Sequence, residues 1–351
     1  MSRTLLLNAA KYAPFLLDFL PNRPSSITFS LTNRCNCRCI MCNYWKFSNE
    51  DEIDTEKIRE VLREAKDLGV RDCLFYGGEP LLRKDIIELV GFSHHMGLKT
   101  NIITNGALID EHLALSLIKS GLDEVMVSID ACGSFHDEIR GVPGTFQKAS
   151  EGLKIFLKLG KNRLKISIGA LLMLPTLKDG RLAGIIDWAR LHGVSVTIQF
   201  IDLSLFYFQT EESALKEKLW ISSKYWDELD RFVDRLINIK REYPPLITNS
   251  VAAIKYIRSY FRDPSDKRLP CYRAYSGKIW IDAKGKVYAC QGVPPLGDLR
   301  TDSLKHIVTF ASWKETSKKM FLKKCPGCSC DYISNVNADL FLSWSAILLN
   351  E

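Results

Sequence analysis

Between residues 27 and 201 the chain alternates short β-branched runs with amphipathic stretches, and this alternation restricts the fold more than any other feature of the sequence. The runs 27–32, 72–76, 99–104, 123–129, 164–172 and 194–201 read as strands, and 55–68, 83–96, 110–120, 145–159 and 178–191 as helices. Several helices carry start and stop signals. Asp54-Thr55-Glu56 opens the first and Gly69 closes it, and Gly97, Gly121 and Gly160 end later ones where a left-handed residue is needed. Six strands with helices between them make an α/β fold, either an incomplete parallel barrel or an open sheet.

Into this pattern falls a cysteine cluster. Cys35-Asn36-Cys37-Arg38-Cys39-Ile40-Met41-Cys42 follows the first strand, and Cys35, Cys39 and Cys42 stand in the spacing C-x3-C-x2-C. So short a loop can wrap three thiolates around one compact inorganic centre. Closed structural zinc sites collect four ligands, usually as two C-x2-C pairs. Three ligands leave a four-iron cube one open corner. The stretch resembles the signature of the radical SAM enzymes, in which that open iron binds S-adenosylmethionine and electron transfer gives a 5′-deoxyadenosyl radical. The family commonly has an aromatic residue at the position of Met41, where a thioether can fill the same space. Cys37 is extra to the pattern and is read as unligated. The competing reading is a zinc knuckle or a chance cluster of cysteines.

The resemblance implies a partial (β/α)6 TIM-like barrel over residues 27–205, working at the carboxyl ends of its strands. Four polar stretches then gather on one face: the cysteine loop, Gly77-Gly78-Glu79-Pro80, Asn105-Gly106, and Ser128-Ile129-Asp130. Two glycines let backbone approach a ligand, Glu79 adds negative charge beside an ammonium, and Pro80 stiffens the exit. The stretch resembles the GGEP motif that holds the methionine amine of S-adenosylmethionine. Asn105, Ser128 and Asp130 can bond ribose hydroxyls or the adenine edge. His136-Asp137-Glu138-Ile139-Arg140-Gly141 looks like a stretch found after strand four in relatives with SPASM or twitch extensions, and its Arg140 can pair with the cofactor carboxylate. The fifth strand lacks the acidic residue that some relatives place there.

A second cysteine set occupies the C-terminal part. Cys271 is followed by Gly285, Cys290 and Cys325-Pro326-Gly327-Cys328-Ser329-Cys330, with a hairpin pattern turning at 282–285. This resembles a twitch or SPASM extension, a small cysteine-rich module of hairpin and helix over 266–351. With five cysteines where the full pattern needs seven, it implies one auxiliary [4Fe-4S] cluster on Cys271, Cys290, Cys325 and Cys328, with Cys330 a rival for the last place. Zinc is the alternative. Residues 206–265 form an aromatic-rich helical linker, and Leu5 to Leu20 an N-terminal helical segment that packs below the barrel or rests on a lipid surface. Cys73 and Cys132 read as core.

Composition bounds the remaining classes. The 351 residues carry a net charge of +7, with 46% hydrophobic and 25% charged residues, as in a soluble globular protein. No export signal accompanies the eleven cysteines, which points to metal ligation in a reducing cytoplasm. No RNA-binding module is visible, so a nucleic-acid partner is not expected; RNA or lipid modification and a non-enzymatic iron–sulfur carrier are the alternatives. The resemblance implies a flavodoxin or ferredoxin donor, and a small-molecule substrate or a peptide delivered by a partner, since the segment before residue 27 is short for a peptide-recognition domain. The catalytic acid or base is not assigned.

Overall fold

Strand β1 (Ser26–Ser30) is buried along its whole length because it is sandwiched in the sheet by a parallel neighbour on either side. The computed structural model describes residues 24–47, 51–160, 163–202, 213–264 and 277–322. In it β1, β2 (Asp72–Tyr76), β3 (Lys99–Thr104), β4 (Glu124–Ser128), β5 (Lys165–Leu172) and β6 (Ser195–Phe200) pair in chain order, all parallel. On the far side of β1 come β7 (Lys278–Ile281), β8 (Lys286–Tyr288) and β9 (Gly297–Asp298), giving one nine-stranded sheet, β6-β5-β4-β3-β2-β1-β7-β8-β9, that does not close on itself. The fold is the half-barrel form of the two expected from sequence.

Period-two alternation divides each strand between two environments. Cys73 and Phe75, Val125 and Val127 are buried on the side away from the cavity, while Leu74 and Tyr76, Met126 and Ser128 line the cavity on the concave face, to which β3 contributes residues 101–104. Helices α1 (Thr55–Asp67), α2 (Ile86–His95), α3 (Glu111–Lys119), α4 (Ser134–Arg140) and α5 (Thr145–Leu159) follow, then α6 (Leu174–Leu177) and α7 (Arg181–Leu191). Asp54 and Asp110 cap α1 and α3 by accepting from Lys57 N and Leu113 N. Helix α2 begins later than the expected residue 83. Arg83 is buried and its guanidinium is drawn to Asp85 and to the carbonyls of Leu31 and Ile53, which holds it in an extended turn.

The aromatic linker is a helical pair. After α8 (Ser213–Leu219) come α9 (Trp226–Glu242) and α10 (Val251–Arg262), whose apolar faces meet. Trp220, half-buried, packs on Phe261 with ring centroids 4.9 Å apart, and Tyr260 Oη donates to Ile201 O at 2.8 Å; Tyr260 and Phe261 are buried. The hairpin expected at 278–289 is present, with Gly285 left-handed at its turn (φ +85°). Helices α11 (Leu304–Thr309) and α12 (Ala311–Phe321) follow it and bury Trp313 and Phe321. Cys73 is buried, but Cys132 is exposed, because it lies past the end of β4 in the loop entering α4. No helix among the described residues is long and apolar enough to cross a membrane. The segment 5–20, the rings at 206–208, and Cys271, Cys325, Cys328 and Cys330 lie outside the described residues.

The open edge at β6 is sealed by residues 246–249. Val196 N donates to Leu246 O at 2.7 Å and Thr248 N to Val196 O at 2.9 Å. Asn249 then imitates a strand, its Oδ1 accepting from Ile198 N at 2.7 Å and its Nδ2 donating to Ile198 O at 2.9 Å. Replacing it orphans one buried donor and one buried acceptor on an edge strand. Asn249→Ala is expected to cost about 2–4 kcal/mol in chemical denaturation and to increase aggregation; a loss below ~0.5 kcal/mol contradicts this.

Candidate functional site

The cysteine loop is fixed from two sides by backbone contacts. From one side Gly78 N donates to Thr32 O at 2.7 Å and Glu79 N to Arg34 O at 2.8 Å. From the other, Arg38 N donates to Arg140 O at 2.8 Å and Ile40 N to Ile139 O at 3.0 Å. Both approaches demand glycine. A Cβ on Gly78 would lie 2.3 Å from Arg34 O, and one on Gly141, left-handed at φ +67°, 2.4 Å from Arg38 O. Gly77 (φ +137°) likewise faces Thr32 O at 2.7 Å. The glycines expected to admit a ligand therefore also admit the chain itself.

The clamped loop forms one wall of a cavity of about 600 Å³. Cys35, Cys37, Cys39, Met41 and Cys42 line it together with Gly77, Gly78, Asn105, Ser128, Asp130 and Arg140. Nine of the residues expected at the cofactor site or in the first ligand trio thus share one chamber: Cys35, Cys39 and Cys42 with Gly77, Gly78, Asn105, Ser128, Asp130 and Arg140. Glu79 and Pro80 stand behind the wall and are buried. Among the described residues no trio of cysteine, histidine or acidic side chains stands at metal-ligand separation. The thiols share the cavity wall and one another's fields. A donor set made only of soft sulfur suits iron–sulfur or zinc centres rather than hard cations.

The thiols differ among themselves. Cys37, buried between its neighbours, is pushed well up by its hydrogen bonds to Cys35 and Cys39 together with burial. Those same bonds lower Cys35, and with the Arg140 charge they bring Cys39 down to about 7 against the opposing effect of burial. Cys42 is pushed up to about 12, chiefly by burial. Arg140 is itself buried. Desolvation opposes its charge, but Asp130 and Cys39 outweigh that and keep it cationic. Its fork, expected to meet a cofactor carboxylate, joins Asp130 (Nη2 to Oδ2, 2.7 Å) to Cys39 (Nη1 to Sγ, 3.9 Å). Asp130 is also engaged, accepting from Leu171 N at 2.9 Å. His136, lowered to about 4 mainly by burial, stays neutral and accepts from Asp130 N.

Glu79, expected to present its charge to a ligand, is fully buried and ties strand ends together. Oε1 accepts from Thr104 Oγ1 at 2.7 Å and Leu81 N at 3.1 Å, and Oε2 from Asn105 N at 2.8 Å. All three partners are donors and favour the ionised form, yet burial outweighs them and lifts the carboxyl to about 7. Asn105, so positioned, donates to Asn36 Oδ1 at 2.7 Å and thereby tethers the cysteine loop a third time. Three aromatic residues of the wall were not singled out from sequence. Tyr44 donates to Tyr76 Oη at 3.0 Å, Gln291 also bonds Tyr76, and Trp280 of β7 packs edge-on against the Tyr76 ring. Only the pairing of β7 with β1 brings Trp280 there; its sole trace in the sequence is the alternation of the Lys278–Ile281 run.

Residues 29–189 match the profile of the Radical SAM superfamily. Fe-coproporphyrin III synthase of Methanosarcina barkeri is 32% identical over 170 residues, covering 45% of this chain and 42% of that protein. The chain thus spans less than half the length of this relative. PqqA peptide cyclase of Xanthomonas euvesicatoria pv. vesicatoria is 27% identical over 290 residues, 80% of this chain and 72% of that one. Among solved structures, native anSMEcpe with bound AdoMet and Cp18Cys peptide shares the fold, with TM-score 0.63 and 16% identity over 93% of this chain and 98% of that one.

Two outcomes follow from this geometry. Gly141→Ala must move the loop carbonyl or abandon the left-handed turn, and is expected to destabilise by about 2–3 kcal/mol and to lower iron uptake on reconstitution; unchanged iron content contradicts it. For Glu79 the folded carboxyl lies above its ordinary value of 4.5, so the stability it contributes is complete below that value and is lost as the pH rises through about 7. The advantage of the wild type over Glu79→Gln in denaturation should therefore shrink by a few kcal/mol from about pH 4.5 to about pH 8, and a constant difference would contradict it.

Proposed function

With residues 29–189 belonging to the radical SAM superfamily, we propose that the chain holds a [4Fe-4S] cluster on Cys35, Cys39 and Cys42 and binds S-adenosylmethionine in the adjoining cavity. When bound, this pair supplies reductive cleavage of the sulfonium and a 5′-deoxyadenosyl radical that takes a hydrogen atom from the substrate. The observation that supports the reading is the shared chamber: the trio, the Gly77–Gly78 backbone, Asn105 and Ser128 all line one cavity. A closed four-cysteine zinc site would need no such chamber beside it.

The residues divide the work. Gly77 and Gly78 offer backbone to the amino acid part of the cofactor, while Asn105 and Ser128 face its nucleoside part. Arg140 places a buried positive charge beside Cys39, where it offsets thiolate charge, and Asp130 holds that guanidinium in place. Glu79 acts through Asn105 rather than on a ligand. Met41, Leu171, Phe200 and Trp280 give the chamber apolar walls that limit water.

The substrate is a peptide or a small molecule. The long match to a peptide cyclase supports the peptide. One auxiliary cluster on Cys290 with Cys271, Cys325 and Cys328 would serve oxidation or bond formation. Cys290 stands just past β8 and is half-buried.

Anaerobically reconstituted protein given S-adenosylmethionine and dithionite is expected to release 5′-deoxyadenosine. Cys35→Ala, Cys39→Ala and Cys42→Ala should abolish release and Cys37→Ala should retain it. Iron and sulfide counts should fall again in Cys271→Ala and Cys325→Ala. Zinc at the first trio, or release independent of those cysteines, would sink the reading.

A further inference from the structure

The chamber runs deeper than the residues read as holding the cofactor. Asn105 and Ser128 stand at the carboxyl ends of β3 and β4. Asn101, also on the chamber wall, precedes Asn105 by about 13 Å along β3 at roughly 3.3 Å per residue. Alternation on β5 turns Ser167 to the same wall, and its register partner Met126 comes before Ser128 on β4. Register also carries Trp280 of β7 across to Thr28, Leu74 and Asn101, so Trp280 and Asn101 belong to one row of the sheet.

Asn101, Ser167 and Trp280 each hold a buried polar atom that no hydrogen bond reaches: Oδ1, Oγ and Nε1 in turn. Ser167 is 1% exposed and Trp280 7%, so bulk water does not serve them either. A buried polar group without a partner costs stability, and such local costs gather where a ligand completes the set.

The charged groups at this end of the sheet engage one another. Glu124 accepts from Lys165 Nζ at 2.9 Å on one oxygen and from Lys99 Nζ at 3.2 Å on the other. Lys278 Nζ lies 3.8 Å from the Trp280 ring centroid and steadies that ring. In sheet order the strand ends read Lys278, Ser26, Asp72, Lys99, Glu124 and Lys165, with the sign of charge alternating on either side of Ser26 and beyond. An ion of either sign would meet a like charge beside each opposite one. A neutral polar group would not.

We propose that Asn101, Ser167 and Trp280 form a specificity subsite that takes a neutral amide group of the substrate, such as a peptide amide. The proposal deepens the reading of this chamber as the place where substrate meets cofactor. Trp280 Nε1 donates to the amide carbonyl, Asn101 accepts from the amide N–H, and the Ser167 hydroxyl serves as donor or acceptor. A carboxamide pairs with the Asn101 amide whichever way that group is turned, which a carboxylate does not do. A site built on such bonds rejects analogues that lack them, because its own polar atoms stay unpaired.

The test uses the reconstituted full chain labelled with nitrogen-15 at tryptophan, and follows the Trp280 indole N–H resonance, identified by its loss in Trp280→Phe. Butyramide, butyrate and 1-butanol are the probes, alike in their alkyl part and different in their head. Butyramide is expected to shift the resonance saturably, with butyrate and butanol at least about tenfold weaker. Asn101→Leu should weaken butyramide about tenfold and Ser167→Ala several-fold, while neither lowers the melting temperature of the free protein, since each removes a polar atom that had no partner. No saturable shift, equal shifts with all three probes, or a fall in melting temperature in both variants overturns the proposal. Wild-type protein that binds butyramide but releases no 5′-deoxyadenosine overturns instead the cofactor reading of the chamber.

Discussion

The structure depends on close backbone packing around one loop. Thr32 and Arg34 present carbonyls to the amides of Gly78 and Glu79, and Arg38 and Ile40 present amides to the carbonyls of Arg140 and Ile139. A loop held by its own main chain can present its cysteine side chains to the cavity. Gly78 and Gly141 permit this because a side chain at either place would overlap the carbonyl it packs against. Rigidity here comes from contacts of high sequence separation. That suits a site whose ligands must hold their places while chemistry happens beside them.

Around this frame the buried charges are arranged to support position before reactivity. Glu79 joins the end of β3 to the loop after β2, and Asn105, held by Glu79, reaches Asn36. Asp130 joins the end of β4 to β5 and holds Arg140. Each of these acids sits at the carboxyl end of a strand, where a parallel half-barrel opens. At those strand ends both acids accept hydrogen bonds from backbone amides of the sheet and its loops. A buried carboxylate is tolerable only when donors surround it, and here those donors are the protein's own.

The C-terminal strands alter the barrel in a way that bears on the site. Strand β7 runs parallel to β1, so β1 is not an edge, and Lys278 and Trp280 become part of the chamber. Trp280, Tyr76 and Tyr44 then form a continuous aromatic wall from β7 to the cysteine loop, with Gln291, next to Cys290, bonded to its middle member. The two cysteine regions of the chain are thereby linked through a single side chain, Tyr76.

What the sequence determined by itself is local. Period and caps placed β2 and β3 at their observed bounds and α5 over its full expected length, because hydrophobic alternation and a glycine at each helix end are short-range signals. The cysteine spacing placed three thiols on one cavity wall for the same reason, since all three lie within eight residues. Tertiary structure alone decided which way each polar side chain turned. Glu79 and Arg140 carried motif-like surroundings, yet one is spent on Thr104, Leu81 and Asn105 and the other on Asp130 and Cys39, partners as many as 101 residues away. Cys132 read as core from its apolar character and stands exposed because the chain leaves the sheet there. Trp280 read as a hairpin residue and became a cavity wall through a strand pairing that no local pattern encodes. Direction and partnership are properties of surfaces brought together from distant sequence, and they exist only once the sheet has formed.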